Sequence, residues 1–269
     1  MSKRREQDRS AALAWAEELS AWGVPQEILD QAPQSPWIMP LALFRVPADG
    51  EPPDSPSRRR AREVLPDGGT VLDVGCGGGR ASLGLVPPAA RVIGVDERPQ
   101  MLQAFGEAAQ ARGVAHEEIH GTWPEVAGRA PMADVVVCHH VVYNVPELAS
   151  FAVALSAHAR RRVVLELGQR HPLSHLSPLW QHFWGLIRPE GPTAETALQV
   201  LREGGLPARL DLWDDPVPLR ESRLTPEELV EFIRIRLCLP ADRDAEIAQT
   251  LQRLPPPTPR VTATMWWDV

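Results

Sequence analysis

The run VLDVGCGGG at residues 71–79 restricts the possible folds of this 269-residue chain more than any other segment. Apolar, strand-forming residues lead directly into a cluster of glycines. Glycines at the end of a buried strand allow the backbone to approach a ligand closely, and the first turn of a following helix offers unpaired N–H groups there. The run therefore predicts a parallel α/β fold with a ligand site at the carboxyl end of its first strand.

Strand-like and helix-like patterns alternate along the rest of the chain. Short apolar, β-branched runs predict strands at 70–74, 91–95, 115–119, 134–138, 162–167, 208–213 and 261–269. Helical patterns occur at about 10–32 with a break at Gly-Val-Pro, and at 57–65, 99–112, 146–159, 176–187, 193–203 and 226–237. This order predicts a doubly wound, mostly parallel seven-stranded sheet with helices on both faces, an N-terminal helical region and a helical insertion that forms a lid.

Two carboxylates accompany the glycines. Asp73 lies inside the first strand, and Asp96 ends the second strand in the run VIGVD. An acid in the first strand suits a zwitterionic amino-acid tail and would repel a pyrophosphate, whereas Asp96 is placed to accept hydrogen bonds from two ribose hydroxyls. The dinucleotide pattern GxGxxG is only half met, because Arg80 stands at the third glycine, so a nicotinamide oxidoreductase is the weaker alternative. An ordinary tight strand-to-helix turn is the other.

The pattern D-x-G-x-G-x-G, followed by the second acid, resembles the class I S-adenosylmethionine-dependent methyltransferase family over about residues 57–167. The resemblance implies S-adenosyl-L-methionine (SAM) as cofactor, S-adenosyl-L-homocysteine (SAH) as product, and a Rossmann-like core. We therefore divide the chain into four parts. These are an N-terminal helical and Pro-rich cap at 1–56, a SAM-binding core at 57–167, an insertion at 168–191 that we interpret as a lid, and the remainder of the catalytic sheet at 192–269.

The resemblance also implies which residues form the cofactor pocket. These are Asp73, Gly75, Cys76, Gly77, Asp96, Glu97, Met101, Thr122, Trp123, Cys138 and His139. The adenine contacts depart from the family pattern, because Gly-Thr-Trp follows the third strand where an acidic or polar residue is usual. Thr122 is the candidate hydrogen-bond partner and Trp123 the candidate stacking partner of the ring. For Met101 and Trp123 a place in the apolar core is an equally good interpretation.

The run CHHVVYN at residues 138–144 follows the fourth strand, at the edge of the sheet where such folds bind ligands. The resemblance implies that the methyl group is delivered here. Methyl transfer needs alignment above all, and a base only where the acceptor carries a proton. We identify His140 as the candidate base and Tyr143 as a second catalytic candidate, with Asn144 facing the acceptor. The alternative is that the two histidines only pack at the strand end.

A second group of histidines lies in the insertion. His171 and His175 are four residues apart and His182 follows, but Pro172 and Pro178 interrupt a continuous helix. No cysteine or glutamate completes a metal-ligand set. We therefore expect no metal and interpret the segment as an amphipathic lid over an acceptor pocket, with a helix packed on the core as the alternative.

The amino-acid composition limits the kinds of partner that this chain is expected to bind. The 28 basic and 35 acidic residues give a net charge of −7, which does not favour nucleic acid. No apolar run reaches membrane-spanning length, and three separated cysteines suggest neither a disulfide framework nor zinc, so we expect a cytoplasmic protein. A single lysine, Lys3, removes Walker A and Schiff-base chemistry and indicates a GC-rich bacterial genome. The predicted acceptor is a small molecule, for example a specialised metabolite; the alternative is a SAM- or SAH-binding regulatory or scaffold protein without transfer activity.

Overall fold

A seven-stranded sheet forms the centre of the computed structural model, which describes residues 10–37, 54–216, 224–254 and 260–269. The strands are β1 (Thr70–Val74), β2 (Arg91–Asp96), β3 (Ala115–His120), β4 (Ala133–His139), β5 (Ala159–Gly168), β6 (Arg209–Asp215) and β7 (Arg260–Asp268). The α-helices are α1 (Ala11–Ser20), α2 (Gln26–Leu29), α3 (Pro56–Arg62), α4 (Arg80–Leu83), α5 (Pro99–Ala111), α6 (Leu148–Ser156), α7 (Ser177–Trp184), α8 (Ala194–Glu203), α9 (Pro226–Arg236) and α10 (Asp244–Arg253). Most of the predicted Pro-rich passage lies outside the described residues.

The strand order is β3-β2-β1-β4-β5-β7-β6. Strands β1 to β5 are parallel to their neighbours, and β7 runs antiparallel between β5 and β6. The predicted doubly wound, mostly parallel seven-stranded sheet is therefore confirmed. The order reverses between β1 and β4, so the glycine-rich loop after β1 lies at the switch point where open α/β sheets bind ligands.

The sheet buries both of its faces. Leu72 enters one apolar layer with α6 and α8, and its neighbour Val71 enters the opposite layer with α3, α4 and α5. Successive side chains of a strand point to opposite faces, so a strand covered on both sides must be apolar throughout. Helix α1 packs on α8, where Trp15 is fully buried and donates a hydrogen bond from Nε1 to the Val145 carbonyl oxygen at 2.8 Å.

A third apolar cluster lies apart from the sheet. It joins α2, α7, α9 and α10, which we call the helical subdomain, through the buried residues Ile28, Leu176, Leu179, Trp180, Phe232, Ile233, Leu237, Cys238, Leu239 and Ile247. A capping box begins α9, with Thr225 Oγ1 accepting from the Glu228 N–H at 3.2 Å and Glu228 Oε2 accepting from the Thr225 N–H at 2.8 Å. Helix α10 was not predicted. None of the described helices is long and apolar enough to cross a membrane.

The helical subdomain changes the interpretation of the insertion. Helix α7 buries Leu179 and Trp180 against the later helices α9 and α10, so it belongs to a packed helical core. The alternative of a helix packed on a core therefore describes α7 better than a free lid does. The helix after the glycines is also shorter than a doubly wound fold suggests, because α4 has only four residues and ends at Gly84.

Candidate functional site

The glycine-rich loop joins the carboxyl end of β1 to α4. Gly75, Gly77 and Gly79 have φ angles of 71°, 50° and 85°, a region that side-chain-bearing residues rarely adopt. A Cβ atom on Gly75 would lie 2.3 Å from Cγ2 of Val141, in the loop after β4. Glycine is therefore required at Gly75 both for its φ angle and for the close approach of the two loops that border the cleft.

Asp96 closes the loop from the end of β2. Its Oδ2 atom accepts a hydrogen bond from the Gly77 N–H at 2.9 Å, and Oδ1 accepts one from the Arg98 N–H at 3.0 Å. A carboxylate offers about four acceptor positions, so each oxygen keeps capacity for a further donor. The residue predicted to bind ribose hydroxyls is thus fixed at the loop with acceptor positions to spare, and it fits that part of the cofactor.

Asp73 lies beneath the loop. Its side chain is buried, and Oδ2 accepts hydrogen bonds from the Ser82 N–H at 3.2 Å and the Ser82 hydroxyl at 2.6 Å. Burial raises the pKa of this carboxyl group, although the Ser82 hydrogen bonds oppose the shift. Asp73 therefore ties β1 to α4. It lacks the open path to the cleft that the predicted contact with an amino-acid tail would require.

Four other predicted cofactor residues have buried side chains: Cys76, Met101, Trp123 and Cys138. Burial raises the pKa of the thiols of Cys76 and Cys138 well above their usual range, so both remain protonated. The Trp123 ring packs edge-on against His158 with 4.9 Å between ring centroids. For Met101 and Trp123 the core interpretation is favoured, and the two cysteines can meet a cofactor only through their backbone atoms.

Glu97 and Thr122 lie at the surface. The Glu97 carbonyl oxygen is 3.1 Å from His120 Nε2, which links the loops after β2 and β3. The two loops flank the carboxyl edge of the sheet beyond Asp96, so their exposed side chains remain candidates for contacts with an adenine and ribose.

A buried carboxylate faces the two histidines that follow β4. Glu166 lies opposite His139 in the register of β4 and β5. Its Oε1 atom is 3.2 Å from His140 Nε2 and 3.7 Å from His139 Nδ1. Burial alone would raise the pKa of Glu166, but His139 and His140 outweigh it and hold that pKa well below its usual range. For His139, burial lowers the pKa.

His140 has an unusual backbone. Its φ angle is 61°, and its N–H donates to the Glu166 carbonyl oxygen at 2.6 Å. A non-glycine residue in this region costs about 1–2 kcal/mol, and such residues concentrate at functional sites. The loop after β4 thus turns sharply at the residue that the sequence identified as the candidate base.

A cleft opens between this edge of the sheet and the helices α3 and α4. His139 and Glu166 line it together with Ser55, Ser57, Arg58, Ala61, Arg80, Ala81, Gly84, Leu85, Val137, Trp213 and Asp215. The sequence interpretation missed Glu166. Its signal was available, because Glu166 interrupts the apolar run RVVLELG of β5 as Asp73 interrupts that of β1.

Tyr143 does not meet the requirements of a catalytic group. Its hydroxyl donates to the Gly168 carbonyl oxygen at 2.8 Å and also lies 3.3 Å from that of Gln169. The ring is buried and stacks on Trp15 with 5.5 Å between centroids. Burial raises the pKa of Tyr143. This tyrosine links the loop after β4 to the end of β5. Asn144 points its amide to the Val141 carbonyl oxygen at 3.1 Å.

The three histidines of the insertion lie in different surroundings. His171 is buried and stacks on Trp22 with 3.9 Å between ring centroids. His175 Nδ1 lies 2.9 Å from the Pro172 carbonyl oxygen, whereas His182 Nε2 lies 3.1 Å from Glu246 Oε1. Across the described ranges, no group of three or more histidine, cysteine, aspartate or glutamate residues is arranged to hold a metal ion.

Residues 71–161, from β1 through the start of β5, match the family model of the methyltransferase domain. Over these residues the chain is similar to the methyltransferase domain, as its resemblance to the class I SAM-dependent methyltransferases implies. The match contains the glycine-rich loop, Asp96 and the two histidines after β4. A nicotinamide oxidoreductase and an ordinary strand-to-helix turn are thereby set aside.

Two curated relatives show how far the similarity of this chain to known methyltransferases extends. Ubiquinone biosynthesis O-methyltransferase from Methylobacterium sp. (strain 4-46) is 33% identical over 111 residues, which cover 40% of this chain and 45% of that protein. Ribosomal protein L11 methyltransferase from Klebsiella pneumoniae is 39% identical over 83 residues, covering 30% and 28%. The chain thus spans less than half the length of either relative.

The crystal structure of YcgJ from Bacillus subtilis has the same fold. The superposition has a TM-score of 0.53 at 17% identity and covers 78% of this chain and 95% of that one. The common part extends well beyond the family-model match, so the fold similarity includes the antiparallel end of the sheet or the added helices as well as the glycine-rich core.

Proposed function

We propose that this methyltransferase transfers a methyl group from SAM to a small-molecule acceptor and releases SAH. The observation that carries the proposal is the junction of the glycine-rich loop with Asp96, where a close backbone approach meets a carboxylate with spare acceptor positions. When bound, SAM supplies a methyl group on a positively charged sulfur.

Different residues of the site would bind different parts of the cofactor. The backbone of Gly75 and Gly77 would border the methionine part, and Asp96 would accept from the ribose hydroxyls. Glu97 and Thr122 would lie near the adenine. Asp73 would act through its negative charge and by fixing α4, without direct contact.

The acceptor would bind over the ends of β4 and β5. The cleft there is polar, with Arg58, Arg80, His139 and Glu166 in its wall, and it is closed on one side by α3 and α4. The net charge of −7 also makes a nucleic-acid acceptor unfavourable. One relative is an O-methyltransferase of ubiquinone biosynthesis by name, which agrees with transfer to oxygen; neither relative's name points to a specialised metabolite.

Calorimetry with SAH tests the cofactor site. The substitution Asp96→Asn should weaken SAH binding about 10- to 100-fold, because hydrogen bonds to a charged group contribute about 1.5–3 kcal/mol. The matched control is Glu117→Gln, which removes an exposed carboxylate on β3 that pairs with Arg91, and it should bind SAH like the unaltered protein. Saturable NADH binding, or equal SAH affinity in Asp96→Asn and Glu117→Gln, would contradict the proposal.

A further inference from the structure

One residue of β5 fixes His140 at two points. The backbone carbonyl oxygen of Glu166 accepts from the His140 N–H at 2.6 Å, and its carboxylate lies 3.2 Å from His140 Nε2. These contacts hold both the strained backbone and the imidazole ring. The ring keeps 25% of its side-chain surface exposed, whereas the carboxylate side chain keeps 8%. The buried acid thus holds a partly exposed histidine at the end of β4, next to the cleft residues His139 and Glu166.

Glu166 is itself held by a chain of buried hydroxyl groups. The Ser57 side chain of α3 helps to lower the pKa of the Glu166 carboxyl group, and Ser57 Oγ is 2.6 Å from Thr264 Oγ1 on β7. Trp213 Nε1 donates to Thr264 Oγ1 at 3.1 Å. Because a carboxylate only accepts, a Ser57 hydroxyl that donates to Glu166 would in turn accept from Thr264, which accepts from Trp213. This chain reaches from β6 through β7 and α3, and it orients the carboxylate before any ligand binds.

We propose that Glu166 is a positioning residue that makes His140 a general base, and that the acceptor atom is therefore a hydroxyl oxygen that carries a proton at neutral pH. This inference rests on the proposed methyl transfer. By accepting from Nε2–H, Glu166 leaves the lone pair of Nδ1 as the proton acceptor, and it stabilises the imidazolium that forms. An acceptor without a proton, such as a tertiary amine, would need no such pair.

The transfer step balances without a further reactant. The acceptor oxygen forms the new bond to the methyl carbon while the carbon–sulfur bond breaks and its electron pair stays on sulfur. The hydroxyl proton passes to His140 Nδ1 and is later lost to water. His140 and Glu166 then return to their starting states, ready for the next acceptor.

Other charged and titratable groups surround the pair on every neighbouring element. They are Asp73 on β1, Arg80 on α4, His139 on β4, Arg58 on α3 and Asp215 on β6. His139 is the closest, at 3.7 Å from the same carboxylate oxygen. Burial lowers the pKa of His139, while the charge of Glu166 opposes this shift.

Proton NMR tests the pair without an acceptor. In the SAH-bound protein, the Nε2 proton of His140 should give a resonance well downfield of the backbone amides, because it lies in a charge-assisted hydrogen bond. The resonance should disappear in His140→Gln, move upfield in Glu166→Gln, and persist in the matched control His139→Gln. A spectrum that stays unchanged in Glu166→Gln and His140→Gln would overturn the pairing.

Turnover over a range of pH tests the role. With simple phenols and catechols as acceptors, Glu166→Gln should lower kcat about 10- to 100-fold at pH 7, and the deficit should shrink at alkaline pH, where the phenol loses its proton unaided. Added imidazole should rescue His140→Gly and leave Glu166→Gln unrescued. A purely structural Glu166 would lower kcat equally at every pH, and this result would overturn the inference.

Two further outcomes separate the inference from the proposed function. Absence of SAH binding in the unaltered protein would remove the proposed function, while the same NMR comparison on the ligand-free protein would still decide the pairing. Intact SAH binding with methylation of trimethylamine-like tertiary amines and none of the phenols would overturn the hydroxyl acceptor alone. Ser57→Ala, which removes one hydrogen bond from the carboxylate, should reproduce the Glu166→Gln pH profile more weakly.

Discussion

The sheet and the helical subdomain are built in different ways. The sheet draws on consecutive segments whose apolar runs each predict a strand, and both of its faces are closed by helices that are near in sequence. The helical subdomain combines three distant stretches, at 26–29, 177–184 and 226–253, around leucine, isoleucine and tryptophan side chains. The sheet carries the glycine-rich loop and Asp96, which form the proposed cofactor site. The sequence of the helical subdomain can therefore vary without altering that site.

The two regions meet through a small set of contacts. Trp22, after α1, donates from Nε1 to the Gly191 carbonyl oxygen at 2.6 Å, and Arg188 donates to the Gly23 carbonyl oxygen at 3.1 Å. His171 lies between them, stacked on Trp22 and edge-on to Tyr143 of the loop after β4. These contacts place the helical subdomain next to the loop after β4.

Truncation of one leucine in each region gives the largest expected contrast. Leu72→Ala and Leu179→Ala both empty a fully buried site, and each should lower the free energy of unfolding by about 2–5 kcal/mol. Only Leu72→Ala should also weaken SAH binding, because β1 carries the glycine-rich loop. Urea denaturation followed by calorimetry measures both. Equal losses of SAH affinity would show that the two regions form one cooperative site.

Two glycine substitutions distinguish the cost of backbone strain at a positive φ angle from the cost of steric overlap by an added Cβ atom. Gly75→Ala should cost about 2–4 kcal/mol and abolish SAH binding, because positive φ strain adds to the overlap with Val141. Gly113→Ala, at a φ angle of 63° with no atom within 4 Å of the added Cβ, should cost about 1 kcal/mol and leave binding intact. Thermal unfolding measures the stability of each variant, and titration with SAH measures its binding. Similar losses of stability and binding in both variants would refute the close approach of the loops.

The junction of the regions should respond to acid. Burial, aided by Arg188, lowers the pKa of His171 to about 3, whereas the unfolded chain protonates this histidine near pH 6.5. The unfolded state therefore binds the extra proton first, and stability should fall from about pH 6.5 downwards, by roughly 2 kcal/mol at pH 5.

His171→Phe, which keeps the ring stacked on Trp22, should flatten this dependence. Urea denaturation at pH 7 and pH 5 for both proteins provides the measurement. If the unaltered protein and His171→Phe lose the same stability between the two pH values, the titration belongs to other groups.

Sequence patterns predicted the sheet and the position of the glycine-rich loop because both depend on residues that are close together in sequence. The strand run, the glycines and Asp96 each lie within a short window. The patterns did not separate cleft residues from core residues. In a strand buried on both faces, apolar periodicity does not tell which side chains reach the edge, so Cys138 was predicted to contact the cofactor and is fully buried.

Long-range contacts account for the other differences. The hydroxyl of Tyr143 is occupied by carbonyl groups 25 and 26 residues away in sequence, and α7 packs on helices that follow it by some 50 residues. Neither partner can be read from the local pattern. Glu166 is different, because a single acid within an apolar strand was visible and the same rule that identified Asp73 applies to it.

The position of β7 has a consequence for synthesis on the ribosome. This strand lies between β5 and β6 but is the last of the seven in chain order, and it begins 45 residues after β6 ends. At about 5–20 residues per second, β6 would wait roughly 2–9 s for its neighbour. Strands β1 to β5 can pair with one another during that interval. The nascent chain would therefore form the glycine-rich loop and the end of β2 first. The contacts that orient Glu166 would be completed only when β7, the last of these strands, is added.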